Sequence, residues 1–147
     1  MYPSGLNVRV IEASVYDLVK NRKVYSMESD RTVLEAARFM MEHNIGALPL
    51  MRNGELIGIF SERDIMNRVV AAGRLPGTTK VSEVMTASPK TVDVQETVEN
   101  CLFVMREYGF RHLLIVDGKE LKGLVSQRDI LMSYIAQKEA DSRGIAV

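Results

Sequence analysis

The residues best suited to chemistry in this chain are a serine and an aspartate that occur together twice. Ser61 and Asp64 stand three positions apart, and Ser126 and Asp129 repeat that spacing 65 residues later. Each pair directly follows a short hydrophobic run and opens a stretch with helical periodicity. The pattern therefore predicts both pairs at the junction between a strand and a helix.

Two interpretations of this pattern remain open, and they are not exclusive. In a capping box, each serine and aspartate satisfy backbone N–H groups at the helix start, which stabilises the helix by about 1 kcal/mol. Alternatively, the helix N-terminus offers unpaired N–H groups and a partial positive charge to a phosphate. A carboxylate one turn into the helix would then accept hydrogen bonds from the vicinal hydroxyls of a ribose.

The serine and aspartate belong to a longer internal repeat. Gly58–Ile65 returns as Gly123–Ile130, and the similarity extends over residues 32–66 and 97–131 without a gap. Residues 15–19 also resemble residues 81–85, here at an offset of 66. The chain is therefore one structural unit used twice.

Each copy has the same predicted order of elements. In the first copy, Ser29-Asp30 caps a helix that ends near Asn44. It is followed by strand Ala47–Met51, turn Asn53-Gly54, strand Leu56–Phe60 and a helix from Ser61 to Gly73. In the second, Asp93 with Glu96 opens a helix that ends before Gly109. Strand Leu113–Val116, turn Asp117-Gly118, strand Leu121–Val125 and a helix to about Glu139 follow.

These elements predict an α/β (α+β) fold made of two tandem β-α-β-β-α motifs, each with a helical lead-in. The predicted divisions are an N-terminal extension (1–14), motif 1 (15–73), a connector (74–80), motif 2 (81–139) and a flexible tail (140–147). A motif of this size buries too little area to be stable alone. We therefore expect the copies to pack face to face with pseudo-two-fold symmetry, forming two related clefts near Ser61 and Ser126.

Composition argues against several functional classes. Nineteen basic and nineteen acidic residues balance, and no basic block suggests nucleic acid as a partner. Cys101 is the only cysteine, so we expect a small buried side chain and a reducing, cytoplasmic setting. No apolar run approaches the length of a membrane span, so no membrane partner is predicted. With two histidines in the chain and no cysteine near His43, we predict no metal site.

The repeated Gly-hydrophobic-hydrophobic-Ser-x-Arg-Asp-Ile signature and the strand His112–Asp117 resemble a tandem pair of cystathionine β-synthase (CBS) domains, known as a Bateman module. The resemblance covers about residues 15–139. It implies a regulatory module that binds AMP, ADP, ATP, NAD or S-adenosylmethionine in clefts between the two copies, and that usually dimerises.

The resemblance also assigns roles to individual residues. Asp64 and Asp129 are the expected ribose carboxylates, with Asp129 the stronger candidate, and Ser61 and Ser126 lie near the ribose or phosphate. The adenine or phosphate region would be lined by Ile45, Gly46 and Ala47 in one copy and by Phe110, Arg111 and His112 in the other. Thr86 matches a position that often contacts ligand, whereas Lys20 stands at its counterpart. This difference and the contrast of Arg111 and His112 with Gly46 and Ala47 predict two unequal sites.

Arg63 and Arg128 recur in register and either reach a phosphate or remain solvated or paired with a nearby carboxylate. We find no set of nucleophile, base and orienting group, so the predicted function is non-catalytic ligand sensing. One alternative is a structural dimerisation or docking subunit for a separate enzyme or transporter, whose clefts would be filled by the protein's own side chains. An enzyme acting on a nucleotide is a further alternative. We expect homodimerisation through helix faces that include Val33, Ala37 and Met40, and Leu102 and Met105.

Overall fold

The structure is a computed structural model, and it describes residues 13–144. Along the first half of the chain the elements are α1 (Tyr16–Val19), β1 (Met27–Glu28), α2 (Val33–His43), β2 (Ala47–Arg52), β3 (Glu55–Ser61), α3 (Glu62–Asp64) and a π-helical segment (Ile65–Val70). In the second half they are α4 (Val81–Val84), β4 (Thr86–Ala87), β5 (Thr91–Asp93), α5 (Val98–Tyr108), β6 (His112–Asp117), β7 (Glu120–Ser126) and α6 (Gln127–Ser142). The mixed α+β class and the repeated order of elements are as predicted.

The described chain forms two compact units, and they do not coincide with the two sequence motifs. One unit is Tyr25–Lys90, whose sheet has the order β1-β2-β3-β4. The other combines residues 13–24 with residues 91–144, and its sheet has the order β5-β6-β7. Each lead-in helix therefore belongs to the unit that carries the sheet of the other motif. Below, the two units are called the Asp64 unit and the Asp129 unit.

The central hairpin of each unit follows from its turn residues. In the Asp64 unit, β2 and β3 pair antiparallel, and Asn53 and Gly54 in the turn have φ values of 53° and 80°. Positive φ at both positions is what a two-residue turn needs to match the strand twist. In the Asp129 unit the turn lies at residues 118 and 119, because Asp117 pairs with Glu120. The predicted turn at Asp117-Gly118 was therefore wrong by one residue.

Two predicted helix starts were also wrong, because short parallel strands precede them. Thr32, not Ser29-Asp30, caps α2: its hydroxyl accepts from the Glu35 N–H at 3.1 Å. Thr97, not Asp93, caps α5. Asp93 instead ends β5, where it pairs with Val116 of β6. The predicted helix ends hold, since Asn44 and Gly109 both adopt the left-handed conformation there.

The helices that follow Ser61 and Ser126 differ between the two units. After the short α3, the chain continues as a π-helix in which the N–H of Ala71 bonds to the Met66 carbonyl, five residues back, at 2.9 Å. In contrast, α6 is a continuous α-helix. It runs to Ser142, past the predicted end at Glu139, and it buries Ala140 in what was predicted to be tail. The rest of that tail, residues 145–147, and residues 1–12 of the predicted extension lie outside the described part.

Glycines in the repeated signature let each lead-in lie against a strand. A Cβ on Gly123 of β7 would lie 3.0 Å from the Val19 Cβ of α1. At the matching position in β3, a Cβ on Gly58 would collide with the Met85 sulfur and meet the Thr86 carbonyl oxygen at 3.0 Å. Each glycine is therefore needed for close packing at its position.

Each unit has its own apolar core. In the Asp64 unit the core includes Val33, Met40 and Phe60, and in the Asp129 unit it includes Cys101, Met105 and Val125. The prediction of which helix faces form a dimer is thus largely wrong, because Val33, Met40 and Met105 are at most 4% exposed. Different apolar side chains are exposed on the helical segments: Met41, Met66, Val70, Phe103, Leu131, Met132 and Ile135.

Candidate functional site

Both serine–aspartate pairs form capping boxes. The Asp64 N–H donates to Ser61 Oγ at 3.3 Å, and the Ser61 N–H donates back to Asp64 Oδ2 at 3.0 Å. In the other unit, the corresponding distances for Ser126 and Asp129 are 3.0 and 2.8 Å. The capping interpretation is therefore confirmed at both positions. In each case one oxygen of the aspartate is committed to the cap.

The second oxygen of Asp64 is also occupied by the protein itself. Thr86 Oγ1 donates to Asp64 Oδ1 at 3.4 Å, and Arg68 Nε lies 3.6 Å from the same oxygen. Arg68 also donates from Nη1 to the Met85 carbonyl at 2.6 Å. The Asp64 side chain is only 8% exposed. Ser61, Asp64 and Thr86, all predicted site residues, are brought together here, but they bond to one another.

Asp129 has a different environment. Besides its capping bonds with Ser126, the Asp129 side chain contacts one other described residue, Arg22. Arg22 Nη1 lies 3.1 Å from Asp129 Oδ2. Oδ1 has no hydrogen bond or ion pair with any residue in the range 13–144. The side chain is 29% exposed. One carboxylate oxygen of Asp129 is thus not used by any other residue in the described part of the chain.

The predicted residues before each hairpin lie beside the helix starts. The Gly46 carbonyl accepts from the Glu62 N–H at 3.1 Å, and Ala47, which follows Ile45 and Gly46, pairs with Ser61. In the Asp129 unit the Arg111 carbonyl accepts from the Gln127 N–H at 3.2 Å. There the remaining members are also close, since His112 pairs with Ser126 and the Phe110 carbonyl accepts from Gln127 Nε2 at 3.4 Å.

The two helix starts carry different charges. In the Asp64 unit, the Glu62 carboxylate lies 3.6 Å from the position that a Cβ on Gly46 would occupy. The two acidic residues at this helix start, Glu62 and Asp64, equal in number the two basic ones, Arg63 and Arg68. In the Asp129 unit, neutral Gln127 replaces Glu62. Three arginines then accompany a single acid: Arg22, Arg111 and Arg128. Arg111 and Arg128 are exposed and form no ion pair with a described residue. The residues named at the start of α6 therefore have an excess of positive charge, whereas those at the start of α3 balance.

Sequence reasoning did not identify Arg22 and Arg68. Arg68 follows Asp64 by four positions, and this helical spacing would have been a usable signal. Arg22 lies far from Asp129 in sequence, so its contact depends on α1 joining the sheet of the other motif. Lys20, the counterpart of Thr86, pairs instead with Asp17 at 3.2 Å.

Other polar groups are accounted for by packing. His43 lies against the rings of Tyr25 and Phe39, at centroid distances of 4.6 and 4.3 Å. Burial, with a smaller contribution from Glu96, raises the pKa of the Cys101 thiol to about 12.

Within residues 13–144, no three His, Cys, Asp or Glu side chains are grouped so as to hold a metal ion. No helix in that range is long and apolar enough to cross a membrane.

Comparisons with known proteins agree with the repeat. The sequence matches the CBS domain family twice, at residues 15–71 and 81–136. It is 34% identical over 130 residues to the CBS domain-containing protein YhcV of Bacillus subtilis, covering 88% of this chain and 91% of that protein.

Solved structures of the same kind are also similar. A putative signal-transduction protein with CBS domains from Burkholderia ambifaria has a TM-score of 0.81 at 33% identity, with 86% of this chain and 96% of that chain covered. A CBS domain pair in complex with 5′-methylthioadenosine and S-adenosyl-L-methionine has a TM-score of 0.76 at 25% identity, with 85% and 98% covered. This chain therefore belongs to the CBS domain family and carries two CBS domains in tandem.

Proposed function

We propose that this protein is a non-catalytic regulatory module that binds an adenosine ligand at the start of α6. The observation that carries the proposal is Oδ1 of Asp129, which stands at a helix N-terminus and has no partner among residues 13–144. Arg22 contacts the other oxygen, and Arg111 and Arg128 are neighbours of the helix start along the chain and the hairpin. A carboxylate oxygen accepts hydrogen bonds from hydroxyls, and a cationic helix start attracts a phosphate. The combination suits a phosphorylated riboside.

The chemistry divides among the predicted residues. Asp129 accepts from the ribose hydroxyls, while Arg111, Arg128 and the N–H groups after Ser126 receive the phosphate. Phe110 and His112 border the base or phosphate region. The ligands of the related CBS pair support the ribose and base part of this assignment, because 5′-methylthioadenosine and S-adenosylmethionine share an adenosyl group. AMP, ADP, ATP, NAD and S-adenosylmethionine are the candidate ligands.

A structural role is the better proposal for the Asp64 site. Thr86 and Arg68 already use the oxygen that a ribose would need, and Glu62 adds negative charge beside Gly46. A ligand position that is filled by the protein's own side chains is the feature expected of a docking or dimerisation subunit. We therefore assign ligand binding to the Asp129 unit and internal bracing to the Asp64 unit.

We propose that ligand binding regulates other protein chains through direct contact with this one. Exposed apolar side chains on α2, the π-helix, α5 and α6 favour a homodimer as the working form. A separate enzyme or transporter is the proposed target of regulation. A reducing, cytoplasmic setting fits the single buried cysteine.

Calorimetric titration of the wild-type protein with AMP, ATP, NAD and S-adenosylmethionine tests this function. We expect saturable binding of at least one of them, because the site offers both a hydroxyl acceptor and cationic donors. IMP serves as a matched control for AMP, since it keeps the ribose and the phosphate and has a carbonyl oxygen in place of the adenine amino group. Absence of saturation with every adenosine ligand up to millimolar concentration would contradict the sensing function.

A further inference from the structure

We propose that Arg22 makes the Asp129 site select phosphorylated ribosides over uncharged ones. This inference rests on the proposed function, and it concerns the charge of the ligand and not the identity of its base. Arg22 comes from the lead-in after α1 and contacts the carboxylate that the ribose would use. It therefore changes the electrostatics of the site without taking the oxygen needed for binding.

The position of Arg22 is supported by the core of its unit. Its N–H donates to the Val19 carbonyl at 3.0 Å, and Val19 packs against Gly123 of β7. The start of α1 is held by the Val15 N–H, which donates to the Glu96 carbonyl at 2.7 Å. The backbone that carries Arg22 is thus tied to the same sheet that leads into Ser126 and α6.

The contact leaves room for a ligand. Arg22 uses Oδ2 of Asp129, the oxygen already bonded to the Ser126 N–H, and leaves Oδ1 without a partner among the described residues. The Arg22 side chain is 44% exposed, and its guanidinium has five N–H donors in all. Arg22 can therefore stay on the carboxylate while hydroxyls bind to Oδ1.

Charge decides which ligands benefit. An uncompensated Asp129 carboxylate would repel a phosphate bound at the same helix start, and Arg22 cancels that repulsion. A nucleoside has no charge to repel, so its affinity depends little on Arg22. Selectivity for the phosphorylated ligand is the expected consequence.

The Asp64 unit shows that this arrangement is not a general property of the repeat. There the arginine is Arg68, four residues after the aspartate, and it lies near Oδ1, the oxygen that Thr86 also contacts. The second copy has Ser133 at the position of Arg68, and the first lead-in has Arg22 where the second has Ser88. The arginine that contacts the aspartate thus lies on the helix in one copy and in the lead-in in the other. Among the described residues, the lead-in arginine leaves one carboxylate oxygen without a partner.

The test compares AMP with adenosine in calorimetric titrations of the wild type, Arg22→Gln and Arg143→Gln. Arg143 is a matched control, because it is an arginine of the same unit, paired with Glu139 at 3.6 Å at the other end of α6. We expect Arg22→Gln to weaken AMP binding about tenfold relative to adenosine, the scale of one partly screened charge interaction. Arg22→Lys should restore part of the selectivity, and Arg143→Gln should leave it unchanged.

A second background shows whether Arg22 acts through Asp129. In Asp129→Asn the ion pair that holds the Arg22 guanidinium at the helix start is lost, so adding Arg22→Gln should change the AMP to adenosine ratio by less than in the wild type. Circular dichroism melting verifies that each variant is folded. An unchanged ratio in Arg22→Gln, or tighter binding of both ligands, would overturn the inference while leaving the proposed function intact. Failure of the wild type to bind either AMP or adenosine would overturn the inference. Failure to bind ATP, NAD and S-adenosylmethionine as well would overturn the proposed function.

Discussion

Asp64 and Asp129 show how the same residue in the same cap can serve different purposes. Both carboxylates satisfy the N–H of a serine three residues earlier, which accounts for the repeated spacing. Their second oxygens differ, because Thr86 and Arg68 surround that of Asp64 whereas that of Asp129 has no described partner. The cap explains why an aspartate stands at each position, and the surroundings determine what else it can do.

Replacing each aspartate by alanine should separate the two roles. Asp129→Ala should weaken AMP binding by about 1.5–3 kcal/mol, the scale for losing a hydrogen bond to a charged group. Asp64→Ala makes the same chemical change in the same type of capping box, and it should affect binding far less. Both variants should lose about 1 kcal/mol of folding stability with the cap. Asp64→Ala should lose more than Asp129→Ala, because it also leaves Thr86 and Arg68 without a buried partner.

The comparison requires titration calorimetry for binding and urea unfolding for stability on both variants. If Asp64→Ala weakens AMP binding as much as Asp129→Ala does, the assignment of the ligand to the Asp129 unit is incorrect.

At the scale of elements, the lead-in helices determine what each site contains. Helix α1 brings Arg22 to Asp129, and α4 leads into Thr86, which bonds Asp64. Both lead-ins depend on a glycine in the neighbouring strand, at positions 58 and 123. The glycine of the repeated signature is therefore a packing requirement that holds site residues in place.

Gly123→Ala should destabilise the protein by about 1–3 kcal/mol, because the added methyl group would meet the stiff, branched side chain of Val19 at 3.0 Å. Combining it with Val19→Ala should cost less than the sum of the two single changes, since the shorter side chain makes room. Chemical unfolding of the two single variants and the double variant measures this coupling.

Gly77→Ala is the matched control, because nothing lies within 4 Å of the position its Cβ would occupy. Strict additivity of Gly123→Ala and Val19→Ala would show that the close approach between α1 and β7 does not control stability.

The sequence predicted the elements whose causes are local. Asn53-Gly54 requires a tight turn, Asn44 and Gly109 end helices, and Ser61 and Ser126 cap them, all for reasons contained in a few neighbouring residues. The strands β1 and β5 were not located because they are two or three residues long and form only by pairing with β2 and β6. Local signals at Ser29 and Asp93 were therefore misread as helix caps.

The candidate site was predictable to the same extent. The capping pairs and the residues before each hairpin came from spacing and resemblance, and they lie at the two helix starts. The partners of the carboxylates could not be predicted, because Arg22 reaches Asp129 only after α1 has joined a sheet from the other end of the chain. The π-helical turn after Asp64 was also unexpected, since residues 65–70 have ordinary helical composition.

At the scale of the whole molecule, both units expose large apolar side chains on their helical segments. Met41, Met66 and Val70 are between 60% and 75% exposed in the Asp64 unit. Phe103, Leu131 and Met132 are between 51% and 55% exposed in the Asp129 unit. Each unit thus presents several large apolar side chains on its helical segments, and contiguous patches of such side chains mark surfaces that pair with another protein.

We therefore expect the protein to sediment with about twice its 16.5 kDa chain mass at micromolar concentration, because a second copy would cover these side chains. Phe103→Glu should shift the population toward monomer, since it places a charge on that surface. Lys119→Gln, in the exposed turn between β6 and β7, is the control because it also lowers the net charge by one. A wild-type protein that sediments as a monomer would contradict the homodimer.

The central claim is that an adenosine ligand binds at the start of α6. Its most direct test is a titration with AMP followed by the backbone amide NMR signals of the full chain. We expect saturable chemical-shift changes of the backbone amides of Ser126, Gln127 and Asp129, and smaller changes at Ser61 and Asp64. Saturable shifts confined to other residues, or none at any concentration up to millimolar, would contradict it.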